Sequence, residues 1–152
     1  MRRVFAAAAL LLIQAPLSAA PGAERFVESR RLPTGQVAVV AEGDLEPRSI
    51  GSYSLRLYSG RAPEFPTDDF VAGTIRPRDG TIARVLLEDL DGDAKPEIVI
   101  AMHSAGSGGY LSADAFRYAE RSLARLATVS GLDPGADPVA ALRKRIGKMR
   151  NR

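Results

Sequence analysis

The chain has 152 residues, a formal charge of +3 and no cysteine, which is the length of one domain and excludes disulfides, thiolate-bound metal and a lipid-bearing cysteine. The charge is unevenly placed: residues 21–142 carry 13 basic and 18 acidic side chains, whereas the last ten, "RKRIGKMRNR", carry six basic and no acidic ones. An acidic body behind an export signal argues against nucleic acid as a partner, and the basic tail reads as a solvated helical end.

In chain order, "MRRVFAAAALLLIQAPLSAAPGA" places two arginines before an apolar run from Val4 to Ile13 and then small residues. That layout is a secretory signal peptide, residues 1–20, with cleavage between Ala19 and Ala23. The run is about half the roughly 20 residues a membrane-spanning helix needs, so no membrane anchor is expected. Residues 21–152 then form one exported domain in the periplasm.

Apolar residues of this domain recur mostly with period two. In "SYSLRLYS", Tyr53, Leu55 and Leu57 share one face of a half-buried strand. Further strands are expected at "RFVES", "QVAVVAE", "DFVAGTIR", "TIARVLLE", "EIVIAM", "YLSADAFRY" and "SLARLATV", divided by turn material such as "LPTGQ", "RAPEFPTDD", "PRDGT" and "DGDAKP". Asp79-Gly80 suits a tight hairpin turn. "TIARVLLE" carries Ala83, Val85 and Leu87 on one face and Ile82 and Leu86 on the other, which predicts a central place beside "EIVIAM". Near the end, Asp137 is a natural N-cap with Pro138 at the first helical position. The expected fold is all-β: an antiparallel β-sandwich or flattened barrel of about eight strands with a short C-terminal helix.

Two segments offer chemistry, one of them in two ways. In "DLDGDAKPEI", Asp89, Asp91, Asp93 and Glu97 take the first, third, fifth and ninth positions of a calcium-loop pattern. Ala94 stands where that loop wants glycine, and Ile100 where it wants a bidentate glutamate, which favours a metal-free turn with solvated carboxylates. The segment "AGSGG" is one residue from a nucleophile elbow, with His103 four positions before Ser107. No strand-to-helix context or orienting acid accompanies it, so an enzyme is not expected, and no lysine or helix start follows the glycines to bind a phosphate.

The same stretch, "HSAGSGGY", has the parts of a plug. Glycines 106, 108 and 109 allow a narrow turn, Ser107 offers a hydroxyl, and Tyr110 offers a large ring with a polar tip. By composition alone a plain connector into the next strand leads, because glycine-serine loops are usually connectors and a tyrosine after one usually starts a strand.

The order "LLEDLDGDAKPEIVIAMHSAGSGGYLSADAFRY", preceded by "GSYSLRLYSG" and "FPTDDFVAGTIRPRDGTI", resembles the periplasmic inhibitors of invertebrate-type (i-type) lysozyme, the PliI family. The likeness runs from about Phe26 to Val129. It implies an antiparallel β-sandwich, often a homodimer, with a serine and a tyrosine three residues later on a loop that enters the lysozyme cleft, a spacing that Ser107 and Tyr110 match. It implies a lysozyme-binding loop of Ser107, Tyr110, Gly106, Gly108 and Gly109, with His103 and Ser104 as supporting or rim residues, no catalytic residue and no cofactor. The alternative is a calcium-binding β-module with an adhesive or structural role, resting on Asp89, Asp91, Asp93 and Glu97.

Overall fold

The computed structural model describes residues 24–119 and 121–151; the expected signal peptide and its cleavage region lie outside them. The described residues form eight strands and one helix: β1 Val27–Arg31, β2 Val37–Glu42, β3 Ile50–Tyr58, β4 Phe70–Asp79, β5 Thr81–Glu88, β6 Glu97–His103, β7 Leu111–Ala119, β8 Ser122–Leu132 and α1 Pro138–Arg150. Each half of the chain makes its own antiparallel meander, β1-β2-β3-β4 and β5-β6-β7-β8. Two separate sheets make a sandwich; the flattened-barrel alternative does not hold.

The period-two pattern does what it predicts on β3, where Tyr53, Leu55 and Leu57 are fully buried between the sheets. They meet Ala38 and Val40 of β2, Val85 of β5, Ile98, Ile100 and Met102 of β6, and Phe116 of β7. A second core lies on the other face of the second sheet. There Val99, Ala101, Ala113, Ala115 and Ala127 pack against Val139, Leu142 and Ile146 of α1. Four alanines on that face let the helix approach closely. Asp137 caps the helix by accepting a hydrogen bond from the Val139 amide at 2.9 Å, with Pro138 following it. The expected solvated helical end is therefore solvated on one side only.

Two further expectations are overturned by this layout. Asp79-Gly80 is not a hairpin turn, because Asp79 pairs with Ile50 while Thr81 pairs with His103. Gly80 takes φ +91° as a turn glycine would, but it is the corner where the chain leaves one sheet for the other. β4 also runs through Pro77, part of the expected "PRDGT" turn, and a proline lacking an N–H is tolerated because β4 is an edge strand. β5 in turn is an edge strand, not a central one. Its register shifts between Ile82 and Arg84, and that bulge turns Ile82 to the same inner core as Val85 and Leu87, leaving Leu86 toward the helix side. The strand is apolar on both faces because the second sheet is covered on both faces, which an edge position does not prevent.

Candidate functional site

Ladder register assigns the connections to two ends of the sandwich. At one end lie the β2–β3 connection, the Gly80 corner, the β6–β7 loop and the β8–α1 linker; at the other lie the β5–β6 turn and the β3–β4 connection. Ser107 and the acidic turn are thus at opposite ends.

The β6–β7 loop, residues 104–110, is bracketed by the pair His103 and Leu111. Its neck is closed by the Ser104 amide donating to the Tyr110 carbonyl at 2.9 Å. From Ala105 to Tyr110 every residue is exposed. Gly106 and Gly109 have φ of +114° and +60°, a region that side chains rarely enter, so these two glycines make the reversal possible. Gly108 has a different reason to be glycine. A Cβ there would lie 2.5 Å from Cε2 of Tyr110, so the phenol ring rests on the bare backbone of Gly108. The ring remains 49% exposed, held against its own loop with its other face to solvent.

All seven expected loop residues, His103, Ser104, Gly106, Ser107, Gly108, Gly109 and Tyr110, are brought together here. His103 closes β6 with its side chain exposed. Ser107 leads into a strand and not a helix, so it does not stand on a nucleophile elbow. The loop protrudes, carries no charge of its own, and presents a hydroxyl and an aromatic surface. Such an element can fill another molecule's groove. The broad cleft of about 720 Å³ lined by Thr34, Gln36, Arg61, Asp69, Phe70 and Tyr118 lies at the opposite end and has no part in it.

At the acidic turn, carboxylate oxygens of Asp89, Asp91 and Glu97 do converge, all within 4.8 Å of one another, while Asp93 stays outside this group. Their lone pairs are already engaged. Asp89 accepts from the amides of Gly92 at 2.8 Å and Ala94 at 3.0 Å, which holds its carboxyl below the ordinary aspartate value, the Gly92 bond contributing most. Ala94 adopts φ +62° there, taking the glycine conformation without being glycine. Glu97 is buried and accepts from the Leu90 amide at 3.0 Å. The cation that these carboxylates face is Arg117, whose guanidinium pairs with both Glu97, at 3.1 Å, and Asp91. Arg143 on α1 reaches Glu88 at 3.0 Å and Arg150 reaches the Asp91 carbonyl at 2.8 Å, so the basic helix lies along this same turn. The period-two pattern of β7 had no means of marking Arg117 as the turn's counter-ion, because the pairing spans 20 residues to Glu97 and 26 to Asp91.

The sequence matches the family described as PliI, periplasmic lysozyme inhibitor of I-type lysozyme, over residues 24–146. The chain belongs to the PliI family. Among solved structures it is similar to PliI-Ah, the periplasmic lysozyme inhibitor of I-type lysozyme from Aeromonas hydrophila, at 49% identity and TM-score 0.74, covering 77% of this chain and 98% of that one. It is similar as well to Aeromonas hydrophila PliI solved in complex with Meretrix lusoria lysozyme, at 49% identity and TM-score 0.73, covering 78% of this chain and 95% of that one. No curated protein matches the chain. Among the described residues, no helix is long and apolar enough to cross a membrane. PliI proteins are inhibitors and not enzymes.

Proposed function

We propose that this PliI protein inhibits i-type lysozyme in the periplasm by inserting the β6–β7 loop into the enzyme's cleft, Ser107 and Tyr110 being the residues that occupy it. The observation that carries this reading is the loop's form: an uncharged protrusion exposed from Ala105 to Tyr110, pinched at its neck by the Ser104–Tyr110 bond and carrying its ring on Gly108. Lysozymes cleave peptidoglycan with a protonated acid and a second carboxylate across a groove. The Ser107 hydroxyl donates to one such carboxylate without bringing a charge, and Tyr110 fills space where a sugar ring would stack. Inhibition is then occlusion, with no bond made or broken.

Placement of charge supports the approach to a basic enzyme. The acidic body is on balance negative, and Arg143 and Arg150 of α1 are spent on the acidic turn at the far end, away from the loop. In a lysis assay of a peptidoglycan suspension with i-type lysozyme, Ser107→Ala and Tyr110→Ala each weaken inhibition about tenfold or more, a loss of roughly 1.4 kcal/mol, with thermal stability unchanged. Wild-type inhibition by the folded double variant would refute the assignment.

A further inference from the structure

We infer that the corner Arg78–Gly80, which carries the chain from one sheet to the other, is a positioning device for the inhibitory loop; this rests on the loop reading above. A Cβ at Gly80 would fall 1.8 Å from the His103 carbonyl oxygen and 2.7 Å from both the Ala105 nitrogen and the Ser104 carbonyl carbon. The first leg of the loop therefore lies directly on the Gly80 backbone. Only glycine leaves room for it. The second leg meets Pro134 of the β8–α1 linker, which would touch a Cβ at Gly109 at 3.5 Å.

The corner is itself held fast. Gly80 donates its amide to the Ser49 carbonyl at 2.6 Å, and its carbonyl accepts a bond from Nη1 of Arg78. Arg78 is almost wholly buried, on the inner face of its sheet, two residues along β4 from Arg76, the ladder partner of Tyr53. Its remaining donors go to the carbonyls of Arg48 at 2.8 Å, Pro47 at 3.2 Å and Ser52 at 3.3 Å. Its charge is faced by Glu42 at 3.9 Å, also buried, and Glu42 accepts the Ile82 amide at 2.8 Å just beyond the corner. A buried guanidinium bonded to four carbonyls has little freedom to shift, since any displacement strands a desolvated charge.

The loop beyond its neck has no comparable hold of its own: residues 105–110 are exposed. Glycines that had to be ordered on contact would weaken binding. Rigidity is thus imported from the Glu42–Arg78–Gly80 stack, through backbone contact, into the leg that presents Ser107.

The test is Gly80→Ala in the full mature protein. Inhibition of i-type lysozyme is expected to fall tenfold or more, with amide chemical-shift changes concentrated at residues 103–110. In a double-mutant cycle with Tyr110→Ala the combined loss should be smaller than the product of the two, because a misplaced loop has already forfeited its ring contact. A general loss of stability would instead combine multiplicatively. If Ser107→Ala and Tyr110→Ala keep full inhibition, the loop reading itself fails. If they lose it while folded Gly80→Ala inhibits like wild type, only the positioning role fails. Should Gly80→Ala not fold, amide hydrogen exchange of the wild-type protein decides. The Ser104 amide should exchange about a hundredfold or more slowly than an unstructured amide, and exchange at the free rate would overturn the proposal.

Discussion

Tyr53 on β3 and Asp114 on β7 join the two sheets through the interior, the phenol donating to the carboxylate at 2.5 Å. Both residues are buried, and Thr128 of β8 donates to the second carboxylate oxygen. Burial first, and the Asp114 charge second, push the Tyr53 phenol well above its ordinary value of 10.0. Tyr53→Phe removes the donor from a buried carboxylate and should cost about 1–3 kcal/mol in denaturant unfolding. Because the folded phenol holds its proton while the unfolded one releases it near its ordinary value, wild-type stability is whole below that pH and declines above it. Tyr53→Phe should lose stability less steeply on the alkaline side, and identical alkaline slopes for the two proteins would contradict the pairing.

Gly108→Ala tests the resting place of the Tyr110 ring. The added methyl displaces the ring without touching any core residue, so inhibition should fall about tenfold, roughly 1.4 kcal/mol, while the melting temperature stays within a degree or two. Equal inhibition by this variant would mean that the ring's pose in the free protein is irrelevant to binding.

At the acidic turn, millimolar calcium should leave the melting temperature unchanged, because Arg117 already serves Asp91 and Glu97. A rise of several degrees with calcium and not magnesium would contradict this. Arg117→Ala leaves the buried Glu97 carboxylate without its counter-ion and should destabilise by about 1–3 kcal/mol, the exposed side of Arg117 limiting the effect.

Acid should loosen this turn and, at the other end of the sandwich, the β2–β3 connection. Asp89 is held below its ordinary 3.8 chiefly by the Gly92 amide, and Glu46 below its ordinary 4.5 chiefly by the Ser52 amide. A depressed folded value means that the contribution is complete above the ordinary value and disappears as pH falls through the lower folded one. Melting temperature against pH should therefore be level from neutrality to about 5 and fall below about 4. Asp89→Asn should flatten part of that fall; an unchanged acid limb would show that Asp89 does not contribute.

Leu142 is the fully buried centre of the α1 contact. Leu142→Ala should cost about 2–5 kcal/mol in urea unfolding, and a loss under 1 kcal/mol would mean that the helix adds little to the mature fold.

Strand positions were legible along the chain because burial on one face imposes period two on a segment wherever it sits, and the helix start was legible because Asp137 and Pro138 act locally. The glycines of residues 106–109 were legible as a reversal for the same local reason. The edge position of β5 was not, since an apolar outer face looks alike whether a strand or a helix covers it. Gly108's specific purpose depended on where a ring two residues away would settle.

Local preference and the order of motifs from Ile82 to Tyr118 by themselves determined eight strands, one helix, an exposed Gly/Ser/Tyr loop and membership of a family. Only the tertiary structure decided that Asp79-Gly80 turns between sheets, that Arg117 answers the acidic turn, and that Arg78 and Gly80 stand behind the loop. Those contacts join residues 20 or more apart. Their energy depends on distances in the folded chain, about which neighbouring residues carry no information.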